Sequence, residues 1–332
     1  MIFDNNDRIF ITGGTGFLGR SILDMICKNI DLKQVHFEIL ILSRNPTLFL
    51  DKYPVYKLYP FLRFVQGNIL DPNCLNGLGQ FQYILHAAAD TVPGVNLCNL
   101  DRYNQIVIGT KNLLDFSKKQ TNLKKFLYVS SGAVYGKQNL LCSQIDETHI
   151  SKLDISNTKN SYALGKHAAE SMCKLYEEEF KIPTTIVRLF AFSGSYLPLN
   201  AHFAIGNFLK EALNGDDICI SGNPNTVRSY LDQKDMAEWV LAAMLSDIGD
   251  IYNIGSNRDI TISKLAAVVR ELINPEIKIK YLDQNKTTLE TRYVPDISKI
   301  SKILGVKQTI TLEDSLLSMA ISNKKSFNQE SK

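Results

Sequence analysis

The sequence has no apolar run of the roughly 18 to 20 residues that a membrane-spanning helix needs, so no membrane is expected as partner. It has six cysteines, at 27, 74, 98, 142, 173 and 219, and no two of them form a Cys-x-x-Cys pair. That scatter argues against a disulfide framework or a zinc site and fits reduced thiols in a cytoplasmic protein. The five histidines show no metal-ligand spacing either. Charge of one sign is also scarce: 37 Lys+Arg against 34 Asp+Glu leaves +3 over 332 residues. So even a balance does not advertise nucleic acid as partner, and an anionic ligand must be held by a few placed groups. Residues Met1-Ile2-Phe3-Asp4-Asn5-Asn6-Asp7 are acidic and polar where a signal peptide would be basic and then apolar, which adds to the expectation of a cytoplasmic location.

What is present is alternation. Short β-branched apolar runs at 8–12, 38–43, 62–66, 83–87, 125–130 and 184–189 alternate with amphipathic stretches such as 16–30, 104–119 and 162–181. Apolar strands between helices imply a parallel sheet covered on both faces, an α/β doubly wound Rossmann sheet. At roughly 150 residues per domain, the length leaves room for a second unit. Residues 1–190 read as a dinucleotide-binding domain, with 230–255 returning to it through a helix over 234–245 and a strand at 251–254. Residues 191–229 and 256–322 read as a smaller mixed α/β substrate-binding domain with a helix near 202–214, and 323–332 as a flexible tail.

Ile9-Phe10-Ile11-Thr12 runs straight into Gly13-Gly14-Thr15-Gly16-Phe17-Leu18-Gly19, and then a helix begins. Glycines so spaced between strand and helix suit a dinucleotide pyrophosphate. They give a tight turn at Gly13, bare backbone at Gly16, close helix–strand contact at Gly19, and free N–H groups at the positive helix end. Gly13, Thr15, Gly16, Phe17, Leu18 and Gly19 are therefore candidate cofactor contacts. The second strand ends in Ser43-Arg44-Asn45, with no carboxylate to accept from a ribose 2′-OH. Ser43 and Arg44 suit a 2′-phosphate through charge-assisted hydrogen bonds, which favours NADP(H) and leaves NAD(H) possible; a solvated Arg44 is the alternative. Further on, in Gly67-Asn68-Ile69-Leu70-Asp71, Asp71 could accept from the adenine amino group, with Ile69 beside it. Ala87 and Ala88 in His86-Ala87-Ala88-Ala89 let the backbone run against the cofactor, or equally pack a helix.

The strand Phe126-Leu127-Tyr128-Val129 leads into Ser130-Ser131-Gly132-Ala133-Val134-Tyr135-Gly136, and Tyr162-Ala163-Leu164-Gly165-Lys166 opens a helix. The i, i+4 spacing puts Tyr162 and Lys166 on one face. An ordinary phenol, with a pKa of about 10, is a poor base at neutral pH. Lys166 and a nicotinamide would favour the phenolate and fit Tyr162 to move the proton of a carbinol oxygen, to which Ser131 can hydrogen-bond. Tyr-x-x-x-Lys alone is as readily a surface helix. With the glycine turn and the Ser-Ser strand end in this chain order, the sequence resembles the extended short-chain dehydrogenase/reductases, the NAD(P)-dependent nucleotide-sugar epimerase/dehydratase family, over nearly its whole length.

The resemblance implies that Ser131, Tyr162 and Lys166 form the catalytic set, Tyr162 and Lys166 meeting the cofactor as well. It implies that Arg228, in Val227-Arg228-Ser229-Tyr230-Leu231, grips a sugar-nucleotide diphosphate, a task that suits a guanidinium. Tyr252-Asn253-Ile254-Gly255 and Tyr293-Val294-Pro295-Asp296-Ile297-Ser298-Lys299 resemble further family segments. Four positions depart from the pattern. Ala191 and Ile106 stand where the family carries Asn, and Gly132-Ala133 where its 4,6-dehydratases carry Asp-Glu. The last departure argues against dehydration. The run from Ala191 to Phe208 resembles bacterial 4-ketoreductases that make dTDP-linked 6-deoxyhexoses for surface polysaccharide. It implies a sugar-nucleotide pocket touched by His202, Phe203 and Asn207, with Tyr196 and Phe208 as further walls; core packing is the equal alternative for the three aromatics. NADPH-dependent reduction at C4 of a nucleotide-linked 4-keto-6-deoxyhexose is the expected activity, with an NAD-dependent C4 epimerase as alternative. A homodimer through the helices over 104–119 and 162–181 is expected by resemblance.

Overall fold

Apolar strands with no polar face must be covered on both sides, and the chain achieves this by alternating strand and helix. In the computed structural model the described residues are 3–28, 36–89, 97–199, 203–282 and 290–330, with side chains described as far as 324. The elements run β1 (Arg8–Thr12), α1 (Phe17–Lys28), β2 (Glu38–Ser43), α2 (Pro46–Lys52), β3 (Leu62–Gln66), β4 (Tyr83–His86), α3 (Asn99–Ser117), β5 (Lys125–Ser131), α4 (Ser161–Phe180) and β6 (Thr184–Leu189). They continue with β7 (Phe192–Ser193), α5 (Ala204–Asn214), β8 (Ile218–Ile220), β9 (Val227–Ser229), β10 (Leu231–Asp232), α6 (Gln233–Leu245) and β11 (Ile251–Ile254). Last come β12 (Asp259–Thr261), α7 (Ile262–Ile273), β13 (Ile279–Tyr281), β14 (Arg292–Tyr293), α8 (Ser298–Leu304) and α9 (Leu312–Glu330).

Strands β11-β6-β5-β4-β1-β2-β3 lie side by side in one sheet, and every neighbouring pair is parallel. The order turns back between β1 and β4, which opens a crevice at the carboxyl ends of the strands. Alternate residues of each strand feed two cores. Ile9, Ile11, Ile39, Ile41 and Leu127 pack with Ile22 and Ile26 of α1 and Trp239 and Val240 of α6. Phe10, Leu40, Ile84, Phe126 and Tyr128 pack on the other face with Leu113 and Leu114 of α3 and Ala169 and Cys173 of α4. A third core joins Ile205 and Phe208 of α5, Ile218 and Ile220 of β8, Leu265 and Val269 of α7, and Leu316 of α9. Beside it β9 is flanked by antiparallel β12 and parallel β14.

Three helices differ from the sequence expectation. α3 begins at Asn99 rather than 104, because the Cys98 sulfur caps it, accepting from the Asp101 N–H at 3.4 Å; cysteine is not among the usual cap signals. α2 was not anticipated, although Asn45 caps it through the Leu48 N–H at 3.0 Å and Pro46 opens it. The stretch from Asn323, expected as a frayed tail, is helical as far as Glu330: Asn323 Nδ2 donates to the Met319 carbonyl at 2.8 Å, and the Lys, Gln and Glu beyond it are good helix formers. The end of the helix expected over 16–30 lies outside the described residues. Among the described residues no helix is long and apolar enough to cross a membrane, and no cluster of His, Cys, Asp or Glu could hold a metal.

Candidate active site

The glycine turn is closed by backbone. Gly13 has φ +76°, and a Cβ there would lie 2.6 Å from the Ala87 carbonyl carbon and oxygen. A Cβ on Gly19 would lie 2.3 Å from Gly14 Cα and 2.4 Å from the Gly13 oxygen. Gly16 is different: its Cβ position meets only the Gly13 oxygen, at 3.4 Å, so the surrounding fold has room for a side chain there. Exposed Gly16 therefore faces outward at the head of α1, next to half-buried Thr15. The side chain of Leu18 is turned into the core, and that of Phe17 is stacked on Phe192, so these two could meet a ligand only through their main chain. Beneath the turn, Thr110 Oγ1 donates to the Ile106 carbonyl at 2.6 Å, so it accepts from His86 Nε2–H at 3.1 Å. His86 Nδ1 then accepts from Thr12 Oγ1 at 2.7 Å, and Thr12 Oγ1 accepts from the Ala88 N–H at 3.4 Å. Burial, helped by the Lys166 charge, pushes the His86 pKa down to about 3, which keeps this relay neutral. Ala87 and Ala88 are thus fastened against the turn.

At the end of β2, Ser43 is buried and Arg44 exposed, with Asn45 engaged as a helix cap. Asp71 lies past β3, but its Oδ1 accepts from both the N–H and the Nδ2 of Asn73 at 3.0 Å, capping a short turn. Ile69 is buried against Gly109 of α3, and its carbonyl accepts from Asn112 Nδ2 at 2.9 Å.

The catalytic candidates converge at the carboxyl edge of β5. The Tyr162 phenol, in the first turn of α4, lies beside the Ser131 hydroxyl; burial raises its pKa, while Ser131 and the charge of Arg102 on α3 pull the other way. Lys166 is buried one turn later. Its Nζ donates to the Val129 carbonyl at 2.7 Å and stands 4.9 Å from the Tyr128 ring centre, and burial brings its pKa down to about 8. Sequence reasoning gave Tyr293 no role, yet its phenol also lies beside Ser131, its ionisation pushed up by burial. Its OH fills the place of a Gly132 Cβ, 2.6 Å away, which explains why no side chain stands there. Below them Glu170 accepts from Arg188 Nη2 at 2.7 Å and from Nε at 3.0 Å, a buried pair that ties α4 to β6.

Tyr293 pairs in register with Arg228 across β14 and β9. Arg228 Nη1 donates to the Val227 carbonyl at 2.8 Å and to the Thr291 carbonyl at 3.4 Å, and Nη2 donates to Thr291 Oγ1 at 3.1 Å. A guanidinium has five N–H groups, so part of this one stays available to a ligand. Thr226, just before β9, lines a cleft of about 670 Å³ with Asn207 and Phe208 of α5 and Ser221, Gly222 and Asn223 after β8. Phe203, at the head of α5, is 40% exposed, while Phe208 is mostly taken by the third core. His202 lies outside the described residues. Tyr196 corrects an expectation: it is no wall of this cleft. Its ring lies 3.7 Å from the Arg20 guanidinium, which Tyr53 covers from the other side at the same distance, and its OH donates to Asp24. Two stacked rings and a carboxylate hold it against α1.

A glycine turn at a parallel switch point, with Ser, Tyr and Lys at the neighbouring strand end, defines a Rossmann-type dinucleotide site of the dehydrogenase kind. Residues 9–255 match the model of the NAD dependent epimerase/dehydratase family, and the chain belongs to that family. UDP-glucuronic acid decarboxylase 6 of Arabidopsis thaliana is 26% identical over 320 residues, 95% of this chain and 88% of that protein. Among solved structures, the fold is similar to the UDP-glucose 4-epimerase of Thermotoga maritima (TM-score 0.82, 22% identity, 96% of this chain and 99% of that one). It is also similar to the dTDP-glucose 4,6-dehydratase of Bacillus anthracis (TM-score 0.80, 21% identity, 97% and 98%).

Proposed function

We propose that the protein reduces the C4 ketone of a nucleotide-linked 4-keto-6-deoxyhexose with NADPH. The observation that carries this reading is the meeting of Ser131, Tyr162 and Lys166 beside the glycine turn, with Arg228 one strand pair away through Tyr293. The turn fits a dinucleotide: Gly13 leaves no space above Ala87, and Gly16 leaves its outward face bare. Bound there, a reduced nicotinamide supplies the hydride that turns the C4 carbonyl into an alcohol. Tyr162 gives its phenolic proton to O4 as that hydride arrives, and Ser131 donates a hydrogen bond to the same oxygen. Lys166 offers its remaining N–H groups beside them. Arg228 holds the diphosphate, with Asn207 lining the cleft where the nucleoside lies and Phe203 at the head of the same helix. Ser43 and Arg44 favour a 2′-phosphate at the end of β2, where no carboxylate stands.

The similar proteins carry names for different reactions: decarboxylation, 4-epimerisation and 4,6-dehydration. Elimination of water needs an acid and a base beside the sugar, and positions 132 and 133 are Gly and Ala, the first closed to any side chain by Tyr293 and Phe190. Incubation with dTDP-4-keto-6-deoxyglucose and NADPH tests the proposal through absorbance at 340 nm; no decrease rejects that substrate. Tyr162→Phe is expected to lower turnover by about 10²- to 10⁴-fold, and full turnover would refute its proton transfer. The second reading is a C4 epimerase, favoured by the similarity of the fold to 4-epimerases. Protein that is purified with stoichiometric NAD and equilibrates two nucleotide hexoses without added cofactor would establish it. We also propose a homodimer through the outer faces of α3 and α4, where Ile108, Leu175 and Phe180 are exposed; a monomer mass by light scattering would overturn it.

A further inference from the structure

We propose that Arg102 is the resident cation of the Tyr162 phenol, a positioning residue that favours its ionised form independently of the cofactor. The inference rests on the proton-transfer role given to Tyr162. Helices α3 and α4 both follow strands of the parallel sheet, so both begin at its carboxyl edge. They pack closely at Gly165, where an added Cβ would lie 3.4 Å from Tyr103 Cδ2 and from Ile106 Cδ1. Arg102 precedes Tyr103 on α3 and Tyr162 stands one turn before Gly165 on α4, so both belong to the turns at which the two helices meet.

Arg102 Nε is buried without a hydrogen-bond partner, and among the described residues no carboxylate pairs with this guanidinium. Its charge acts on the Tyr162 phenol in the sense that favours ionisation, against the burial. The sequence offers Lys166 for that part, but its Nζ is turned to the Val129 carbonyl at 2.7 Å. The other groups around the phenol do not replace Arg102. Ser131 on β5 and Tyr293 on β14 are neutral hydroxyls, as is Tyr128 further down β5. His86 on β4 is uncharged, and Glu170 along α4 is neutralised by Arg188. An opposite charge near a buried acid typically lowers its pKa by about 1 to 3 units.

The test tracks the Tyr162 resonance of the full chain labelled with ¹³Cζ-tyrosine, assigned with Tyr162→Phe, through a pH titration with and without saturating NADP⁺. Arg102→Gln is expected to raise the Tyr162 midpoint by about one pH unit, and Arg102→Lys to stay within a few tenths of the wild type. A purely structural arginine would lower Tm in the variants and leave the midpoint where it was. That result overturns the proposal, as does a Tyr162 that stays neutral up to about pH 11 in all three proteins under both conditions. The titration uses no sugar, so it reads the same if the proposed substrate is wrong. Undiminished turnover of Tyr162→Phe would instead remove the proton-transfer role and leave the electrostatic coupling standing.

Discussion

At the glycine turn, the end of the crevice proposed for the dinucleotide is closed by backbone, whereas the end proposed for the sugar nucleotide is built from side chains. At the first, Gly13 and Gly19 lie so close to the main chain of Ala87 and Gly14 that a single methyl group has nowhere to go. At the second, Thr226 and Asn207 come from separate elements and border a cleft of about 670 Å³, while Arg228 and Tyr293 pair in register across neighbouring strands. The contrast shows how each end can vary. Backbone can bind any dinucleotide in one way and tolerates almost no substitution, whereas each side chain of the sugar end can be exchanged singly, and with it the ligand.

The largest effect should come from adding a methyl group at the backbone end. In Gly19→Ala the new Cβ would meet Gly14 Cα at 2.3 Å, and no flexible side chain is there to yield. Dinucleotide affinity is expected to fall at least about 100-fold, a loss of roughly 2.7 kcal/mol, in a fluorescence titration. Gly16→Ala sharpens the comparison, since its Cβ has 3.4 Å to the nearest atom, the Gly13 oxygen. That variant should keep the wild-type Tm and still bind dinucleotide more weakly, because the methyl group faces the ligand. Equal affinity in Gly19→Ala and the wild type would break the contrast.

A smaller effect is expected from acid, again at the backbone end. His86 is neutral in the fold with its pKa near 3, whereas an unfolded histidine titrates at about 6.5. The unfolded chain therefore binds more protons in this interval. The stability is fully present above 6.5 and is lost as pH falls toward 3. Between pH 7 and 5 the His86 share of the loss is about 2 kcal/mol. Urea unfolding at the two pH values, compared with His86→Gln, isolates it; an equal loss in the variant would show that other groups carry the acid sensitivity.

The same contrast decides what could be read from the chain. The glycine turn and the Tyr-x-x-x-Lys helix are local, so periodicity and spacing place them on the right elements. Strands β1, β2, β3 and β6 have the bounds that the apolar runs suggest. Tyr293 and Arg102 reach the phenol only by long-range packing, one through a strand paired with β9 and the other through the contact of α3 with α4. Nothing adjacent to them in the sequence announces it. The early start of α3 was hidden for a related reason: a cysteine cap looks like an isolated thiol until the Asp101 N–H is seen to meet it. The resemblance of the run from Ala191 to Phe208 implies a pocket wall at Tyr196, while the stacking partner that holds it, Arg20, is remote in sequence and on α1.

The smallest effect is expected at the sugar end. Three of the Arg228 N–H groups are engaged with Val227 and Thr291, so the residue is oriented before any ligand arrives and only part of its capacity remains for a diphosphate. Arg228→Lys removes the planar fork but keeps a positive charge, and a point charge can still attract phosphate without fixing its direction. KM for the nucleotide sugar should rise about tenfold, equivalent to roughly 1.4 kcal/mol, with kcat changed less than about twofold. Calorimetry with a nucleoside diphosphate alone should show a loss of the same size, since the contact is made in the ground state. If kcat fell instead while KM and diphosphate affinity held, Arg228 would be acting on the reacting centre through its neighbour Tyr293, and the two ends of the crevice could no longer be treated as separately built.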